Sequence, residues 1–471
     1  MNKYYITTAI PYVNGKPHIG HALEYFQADT IRNYRKLLGD ETLLLSGADE
    51  NALKNVQAAE KENTPIQEFL DRNSQVFKDS YKKLGIKLDV FERGSDKEKH
   101  WPGVQKLWEL CDQNGDIYKK SYTGLYCVGC ESFKTEKELV DGKCPDHLIE
   151  PETITEENYF FKLSNYQNKL LELIESNRLQ IIPDNKRNEI ISFIKQGLDD
   201  FSVSRSKERA RGVGVPVPND DSQVMYVWFD ALAIYITGIG YGYNDANFNK
   251  WWPADMHVIG KDINRFHTVY WPAMLMSSGL DIPKTILIHG FITSNGQKMS
   301  KTLGNVIDPF EIAEKYGLEP FRYFMLSQIP TDDDGDFTEE RFREVYNAHL
   351  ANGIGNLVAR IAKLCEKIGF VNENVQLSFN PKVMAIIEDC KFNVTLEHIW
   401  KKISDLDKEI NDKKPWALEE KELHNFLKDA THTISLIGFH LQPFLPETAG
   451  KILKQFSGKI VSGESLFPRI S

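Results

Sequence analysis

Residues 4 to 46 narrow the possible folds more than any other part of the chain. Tyr4 to Ala9 is β-branched and aromatic, and PYVNGKP then breaks the chain. Apolar residues follow at Leu23, Phe26, Ile31, Tyr34 and Leu38, the spacing of an amphipathic helix. Gly39-Asp40 ends that helix, and ETLLLSG reads as a second buried strand. Strand, helix and strand in so short a span form a βαβ unit, which commits the two strands to a parallel sheet through a right-handed crossover. The chain therefore opens with half of a nucleotide-binding type of fold.

Residues 116 to 215 differ in character, carrying a cysteine cluster, many charges and a helical segment from Ser164 to Ser176, and they read as an insertion. After Pro218 the alternation resumes, with strand-like QVMYVWF, a helix from Ala231, strand-like MHVIG, a helix from Ile263 to Met276 and the strand TILIHGFI. Asp308-Pro309-Phe310-Glu311 supplies an N-cap, Pro at the first helical position and an acid in the first turn, so a helix should run from there to Leu326. Beyond about residue 339 strand signals vanish. Leu350, Ile354, Leu357, Ile361, Leu364 and Ile368 recur in steps of four and three as a bundle seam, and helical stretches follow at 381 to 411 and 419 to 457. The expected architecture is α/β. A Rossmann-like parallel-sheet catalytic domain (1–115 and 216–325) is split by a connective insertion (116–215), followed by a linking segment (326–345) and an all-α domain (346–471).

With 57 Lys and Arg against 67 Asp and Glu, a net charge of −10 excludes a generic nucleic-acid coat, so a polynucleotide partner would dock on local basic and aromatic patches. No apolar run reaches membrane-spanning length, and Pro11 and Asn14 interrupt the place of a secretory leader, so a cytoplasmic protein is expected. Of six cysteines, Cys111, Cys365 and Cys390 stand alone. Cys127-x2-Cys130-x13-Cys144-x2-His147 has the two-by-two spacing of a closed structural zinc knuckle, with Asp146 as an alternative fourth ligand and unligated thiols as the plain alternative.

There is no GxxxxGK[ST], and no GxGxxG follows the first strand, so phosphate must be held by other means. One candidate is Pro17-His18-Ile19-Gly20-His21 at the start of the first helix, where backbone amides and the positive dipole end favour anions and Gly20 permits close approach. Taken alone, the pattern reads more readily as a pair of surface or capped histidines. The other candidate is Lys298-Met299-Ser300-Lys301-Thr302, in a mobile-looking polar loop after TILIHGFI, where two ammoniums could neutralise a triphosphate.

Together, HIGH and KMSKT resemble the two signatures of class I aminoacyl-tRNA synthetases. PYVNGKPHIGHA, VWFDALAIYITGIGY, HVIGKDINRFHTVYWPAML and the C-terminal KKPW resemble the methionyl-tRNA synthetases in particular, over essentially the whole chain. The resemblance implies ATP-dependent activation of L-methionine and transfer of the methionyl group to tRNA(Met). His18, His21, Lys298 and Lys301 would be catalytic. ATP would be bound by Tyr12, His18, Gly20, His21, Gly260, Asp262, Lys298, Ser300 and Lys301, with Mg²⁺. Methionine would meet Ala9, Ile10, Tyr12, Asp49, Trp228, Ala231, Tyr235, Ile263, His267 and Trp271, a mostly apolar and aromatic set that suits a thioether, with Asp49 on the ammonium.

In the bundle, Asn352, Asn356 and Arg360 step by four and Trp416 follows Pro415, a stripe suited to stacking and edge-bonding unpaired bases. The resemblance assigns Asn356, Arg360 and Trp416 to a CAU anticodon, and it implies one zinc in the knuckle. Departures are Asn51 where relatives often show histidine after Asp-Glu, no tryptophan before GVGVPVP, and Thr302 in place of a final serine. Leucyl, isoleucyl and valyl enzymes share the opening style but carry a larger editing insertion, and cysteinyl enzymes hold zinc at the substrate thiol. A catalytically silent tRNA-binding paralogue is the alternative from another functional class. Little sequence follows the bundle, so a monomer is expected.

Overall fold

The structure, a computed structural model, describes residues 2–128, 132–134, 136–145, 148–299, 305–372 and 376–470. The chain divides into two compact units, Met1–Pro17 with Asp40–Ile288, and His18–Gly39 with His289–Ser471.

The first unit is organised on a six-stranded sheet of β1 (Lys3–Thr8), β2 (Glu41–Ala48), β3 (Val90–Arg93), β4 (Gln180–Ile182), β5 (Met256–Gly260) and β6 (Thr285–His289), in the order β3-β2-β1-β5-β6-β4. β1 pairs in parallel with β2 and with β5, β2 with β3, and β6 with β4. Every residue of β5 and β6 is buried, as are Tyr4 to Thr8, which is why these strands read as apolar runs rather than as alternation. Between β1 and β2 the chain forms α1 (Ile19–Leu37), whose residues belong to the second unit. Part of the 116–215 stretch, Gln180–Ile182, is the edge strand of this main sheet. The rest includes an antiparallel sheet of Ile117–Cys127, Ser132–Lys134, Glu152–Phe161 and Phe201–Ser202.

The segment QVMYVWF is a strand only at its start. Asp220–Met225 pairs antiparallel with Ser204–Ser206 and Pro216–Val217, and α2 (Val227–Thr237) begins four residues before Ala231. All residues of α2 are buried, so it has no polar face to mark a helical period, and its β-branched and aromatic start imitates a strand.

In the second unit, the helix expected over 308–326 is two helices, Pro309–Tyr316 and α3 (Leu318–Gln328), parted at Gly317 with φ 94°. Asp308 does cap the first, accepting from the Phe310 amide at 2.8 Å. Wide i→i+5 turns over Tyr346–Gly355 lead into α4 (Asn356–Ile368), with Leu350, Ile354, Leu357 and Ile361 buried along the seam. The bundle continues through α5 (Phe392–Lys413), α6 (Glu420–Leu441) and α7 (Pro446–Gln455). A buried charge cluster joins these parts. Arg322 of α3 reaches Asp29 of α1 at 2.6 Å and the Pro443 carbonyl at 3.0 Å, and Arg32 also pairs with Asp29. No helix among the described residues is long and apolar enough to cross a membrane.

Candidate active site

The HIGH segment is built by the cap of α1. His18 is the N-cap residue, and its Nδ1 accepts from the Gly20 amide at 3.2 Å. His21 returns the bond, its Nδ1 accepting from the His18 amide at 3.1 Å, a capping box made of two imidazoles. The ring centroids lie 3.9 Å apart. Because each Nδ1 is an acceptor, the proton of each neutral ring sits on Nε2, which makes both rings N–H donors at a helix N-terminus. Burial, helped by the neighbouring His18 and His289, holds the His21 pKa well below the ordinary imidazole range and keeps the ring neutral. A Cβ on Gly20 would lie 3.0 and 3.1 Å from the His18 ring atoms Cε1 and Nδ1, so a side chain there would crowd the ring and make it give by a few tenths of an ångström.

The lysine signature begins on a hairpin instead of the expected loop. Ile292–Ser294 pairs antiparallel with Gln297–Lys298 across Asn295-Gly296, whose φ values of 54° and 71° are those of a two-residue turn with both centres left-handed. Asp336 staples it, accepting from the Gly296 amide at 2.8 Å and from Thr293 Oγ1 at 2.6 Å. The backbone of Lys298 is thereby fixed on a strand, while Ser300, Lys301 and Thr302 lie outside the described residues. His289, at the end of β6 and three residues before the hairpin, lies 3.3 Å from Glu24 of α1 through Nε2. This pair ties α1, which carries His18 and His21, to the end of the strand that leads into the hairpin.

In the first unit, the aromatic residues expected around methionine form one cluster. Trp228 of α2 stacks on Phe266 at 3.8 Å and meets Tyr12 edge-on at 6.2 Å. The Tyr235 hydroxyl lies 2.8 Å from His267 Nε2, and His267 Nδ1 lies 3.0 Å from the Ile263 carbonyl. Nδ1 therefore carries the proton and Nε2 accepts from Tyr235. Burial pushes the His267 pKa down to about 4, so the ring is neutral. Trp271 is fully buried and its indole N–H has no partner among the described residues; the Trp228 N–H is in the same state. Asp49 is buried at the end of β2, held through its backbone amide to the Pro11 carbonyl at 2.9 Å and bridged to Tyr12. Ala9, Ile10 and Ile263 pack partly buried against the core that contains Trp228, Tyr235 and Trp271, and Ala231 is buried on α2. Gly260 ends β5, and Asp262 is exposed on the short turn of helix after it.

Cys127 and Cys144 are fully buried. Cys127 ends a strand opposite Ser132, and Cys144 follows the Val140–Lys143 bridge. Cys130, Asp146 and His147 lie outside the described residues, and among the described residues no group of three or more His, Cys, Asp or Glu could hold a metal. In the bundle, Asn356 is exposed at the start of α4. Asn352 precedes the helix in the wide turns, where it accepts from Arg469 at 2.8 Å, so the step-by-four stripe is broken there. Arg360 is held by Asp407 at 2.6 Å and Asn411 at 3.0 Å, both on α5. A groove of about 430 Å³, lined by Arg360, Lys363, Leu364, Glu366, Lys367, Ile410 and Trp416, opens beside the 54% exposed Trp416.

The family described as "tRNA synthetases class I (M)" matches residues 4–151 and 147–362. The methionine–tRNA ligase of Thermotoga maritima is 40% identical, across 97% of this chain and 75% of its own. The chain belongs to the methionyl-tRNA synthetases. The Brucella suis ligase is 41% identical over 96% of this chain and 91% of its own. A solved Mycobacterium tuberculosis methionyl-tRNA synthetase in complex with methionyl-adenylate superposes with a TM-score of 0.92, at 36% identity and complete coverage of both chains. Membership of the methionyl-tRNA synthetases carries the activity, ATP-dependent ligation of methionine to tRNA, on a class I α/β fold with a parallel sheet.

Sequence reading of this methionyl-tRNA synthetase missed three contributors. Phe266, which stacks on Trp228, lies within a segment already singled out and could have been found by its spacing three residues after Ile263. The Glu24–His289 pair left no signal, since it joins positions 265 apart. Asn51, assigned no role, donates at 2.9 Å to the Gly94 carbonyl and at 2.5 Å to Asp230.

Proposed function

We propose that this synthetase activates L-methionine with ATP·Mg²⁺ through His18, His21, Lys298 and Lys301, and then passes the methionyl group from methionyl-adenylate to tRNA(Met). The methionine carboxylate attacks the α-phosphorus in line as pyrophosphate leaves, so the protein supplies position and charge rather than a nucleophile. The neutral Nε2–H groups of His18 and His21 donate to phosphate oxygens, where negative charge builds in the transition state. Lys298 and Lys301 neutralise the β and γ phosphates, with Ser300, Tyr12, Gly20, Gly260 and Asp262 completing the nucleotide contacts. Asp49 takes the methionine ammonium. Trp228, Ala231, Tyr235, Ile263, His267 and Trp271, with Ala9, Ile10 and Tyr12, enclose the thioether. A neutral His267 suits that task, because a buried imidazolium beside a side chain with only a weak acceptor would be uncompensated.

The observation that carries this reading is the reciprocal cap of α1, which uses both Nδ1 atoms on backbone amides and so makes donors of both rings. Methionine-dependent exchange between ATP and pyrophosphate tests it. Exchange with methionine but not with leucine, valine or cysteine supports the reading, and absence of exchange with any of them refutes it in favour of a tRNA-binding protein without catalysis.

Asn356, Arg360 and Trp416 are proposed to meet the CAU anticodon, supported by an exposed indole at the mouth of a basic groove. Cys127, Cys130, Cys144 and His147 are proposed to hold one zinc. The burial of Cys127 and Cys144 fits soft thiolate donors, and a bound zinc would cross-link the insertion. The proposed setting is the cytoplasm, with the protein acting as a monomer.

A further inference from the structure

Asp230 lies in the first turn of α2, two residues after Trp228 and five before Tyr235, yet it faces away from any role assigned so far. It is 1% exposed, and each carboxylate oxygen has its own donor. Oδ2 accepts from Asn51 Nδ2 at 2.5 Å, and Oδ1 accepts from His100 Nε2 at 2.5 Å. The other nitrogen of His100 lies 2.7 Å from Thr237 Oγ1, at the last residue of α2, so one fully buried imidazole spans that helix from its first turn to its end. Asn51 spends its second N–H on the Gly94 carbonyl at 2.9 Å, which the Trp101 indole also reaches at 3.1 Å. Gly94 in turn donates its amide to the Ala48 carbonyl at 3.0 Å, at the end of β2. The chain segment from Ala48 to Asn51 that carries Asp49 is therefore tied to the helix that carries Trp228, Ala231 and Tyr235.

We propose that Asn51 and Asp230, with His100, are positioning residues that fix the separation between the carboxylate for the methionine ammonium and the aromatic walls for its side chain. The inference rests on the reading of Asp49 and α2 as the methionine site. The chemistry explains the residue types. A neutral histidine has a single N–H and could serve Gly94 or Asp230 but not both, whereas the amide of Asn51 serves both from one nitrogen. Asp230 has two acceptor oxygens on a short stem, which lets it hold Asn51 and His100 at once. None of the three needs to touch methionine or ATP. They act by limiting how far the two walls can drift, and small displacements of this kind weaken binding and catalysis sharply.

Exchange kinetics of the full-length N51A, N51D, N51D/D230N and D49N proteins, with KM for methionine and for ATP determined separately, test the proposal. N51A should raise the methionine KM about tenfold, the loss of one hydrogen bond to a charged group, and leave the ATP KM within about twofold. N51D, which sets two carboxylates against each other, should be worse, and the exchange of partners in N51D/D230N should recover part of the activity by restoring the amide–carboxylate pair, the bond to the Gly94 carbonyl staying lost. A general loss of structure would move both KM values or lower kcat for all substrates, and no partner exchange would rescue it. An unchanged methionine KM in N51A, parallel rises in both KM values, or a double variant no better than N51D would overturn the proposal. D49N separates the two levels: if it leaves the methionine KM unchanged, the underlying reading of the pocket fails, whereas a raised KM in D49N with a normal one in N51A defeats only the brace.

Discussion

Lowering the pH from 7 to 5 should cost this fold about 2 kcal/mol through His267 alone. The ring is 1% exposed, and both nitrogens are committed, Nδ1–H to the Ile263 carbonyl and Nε2 to the Tyr235 hydroxyl. Burial holds its pKa at about 4, against about 6.5 in an unfolded chain. Between those values the unfolded state binds a proton that the native state does not. The contribution is therefore complete above pH 6.5 and is lost as pH falls toward 4. The whole interval corresponds to about 3 kcal/mol, and about 2 kcal/mol of it is gone at pH 5. The assay is chemical denaturation at both pH values for the wild-type protein and H267Q, whose amide offers a donor and an acceptor but does not titrate. Other buried histidines lower the stability of both proteins, including His257, and His440, which burial also brings to about 4. The informative quantity is the difference, with H267Q losing about 2 kcal/mol less than wild type on acidification. Equal losses would show that His267 is not a buried neutral acceptor and would refute the reasoning.

Gly20→Ala should reduce methionyl-adenylate formation about tenfold by crowding the His18 ring and shifting it within its cap, measured as the rate of exchange at saturating substrates. Arg322→Met should destabilise the fold by about 3 kcal/mol, at the lower end for a broken buried pair because Arg32 still faces Asp29, and the thermal midpoint should fall accordingly. Trp416→Ala should raise the KM for tRNA in the charging reaction about tenfold, the value of one stacked base.

The parallel sheet was legible because β1 and β2 are apolar runs joined by a helix of clear period, which admits one handed connection. Helix α2 was partly misread for the opposite reason, since complete burial erased the polar face that distinguishes a helix from a strand. The break at Gly317 and the one at Cys390, where φ is 57°, are tertiary choices that a continuous helical pattern does not reveal. Asn295-Gly296 did carry a hairpin signal, but its flanks, Thr293-Ser294 and Gln297-Lys298, are polar and read as loop. At the site, motif spacing was enough to nominate His18 and His21. What no local pattern contains is which ring nitrogen bears the proton, because backbone amides decide it. Asn51 was set aside as a departure from related sequences, and its worth appears only when Asp230, 179 positions away, comes within bonding distance.

Rapid-quench measurement of methionyl-adenylate formation in His18 and His21 variants bears most directly on the proposal that two neutral Nε2–H donors at the start of α1 stabilise the phosphoryl transition state. Alanine at either position should slow the step about a hundredfold, and glutamine, whose amide nitrogen stands where Nε2 did, should recover part of the rate. Adenylate formation at the wild-type rate in the alanine variants would contradict it.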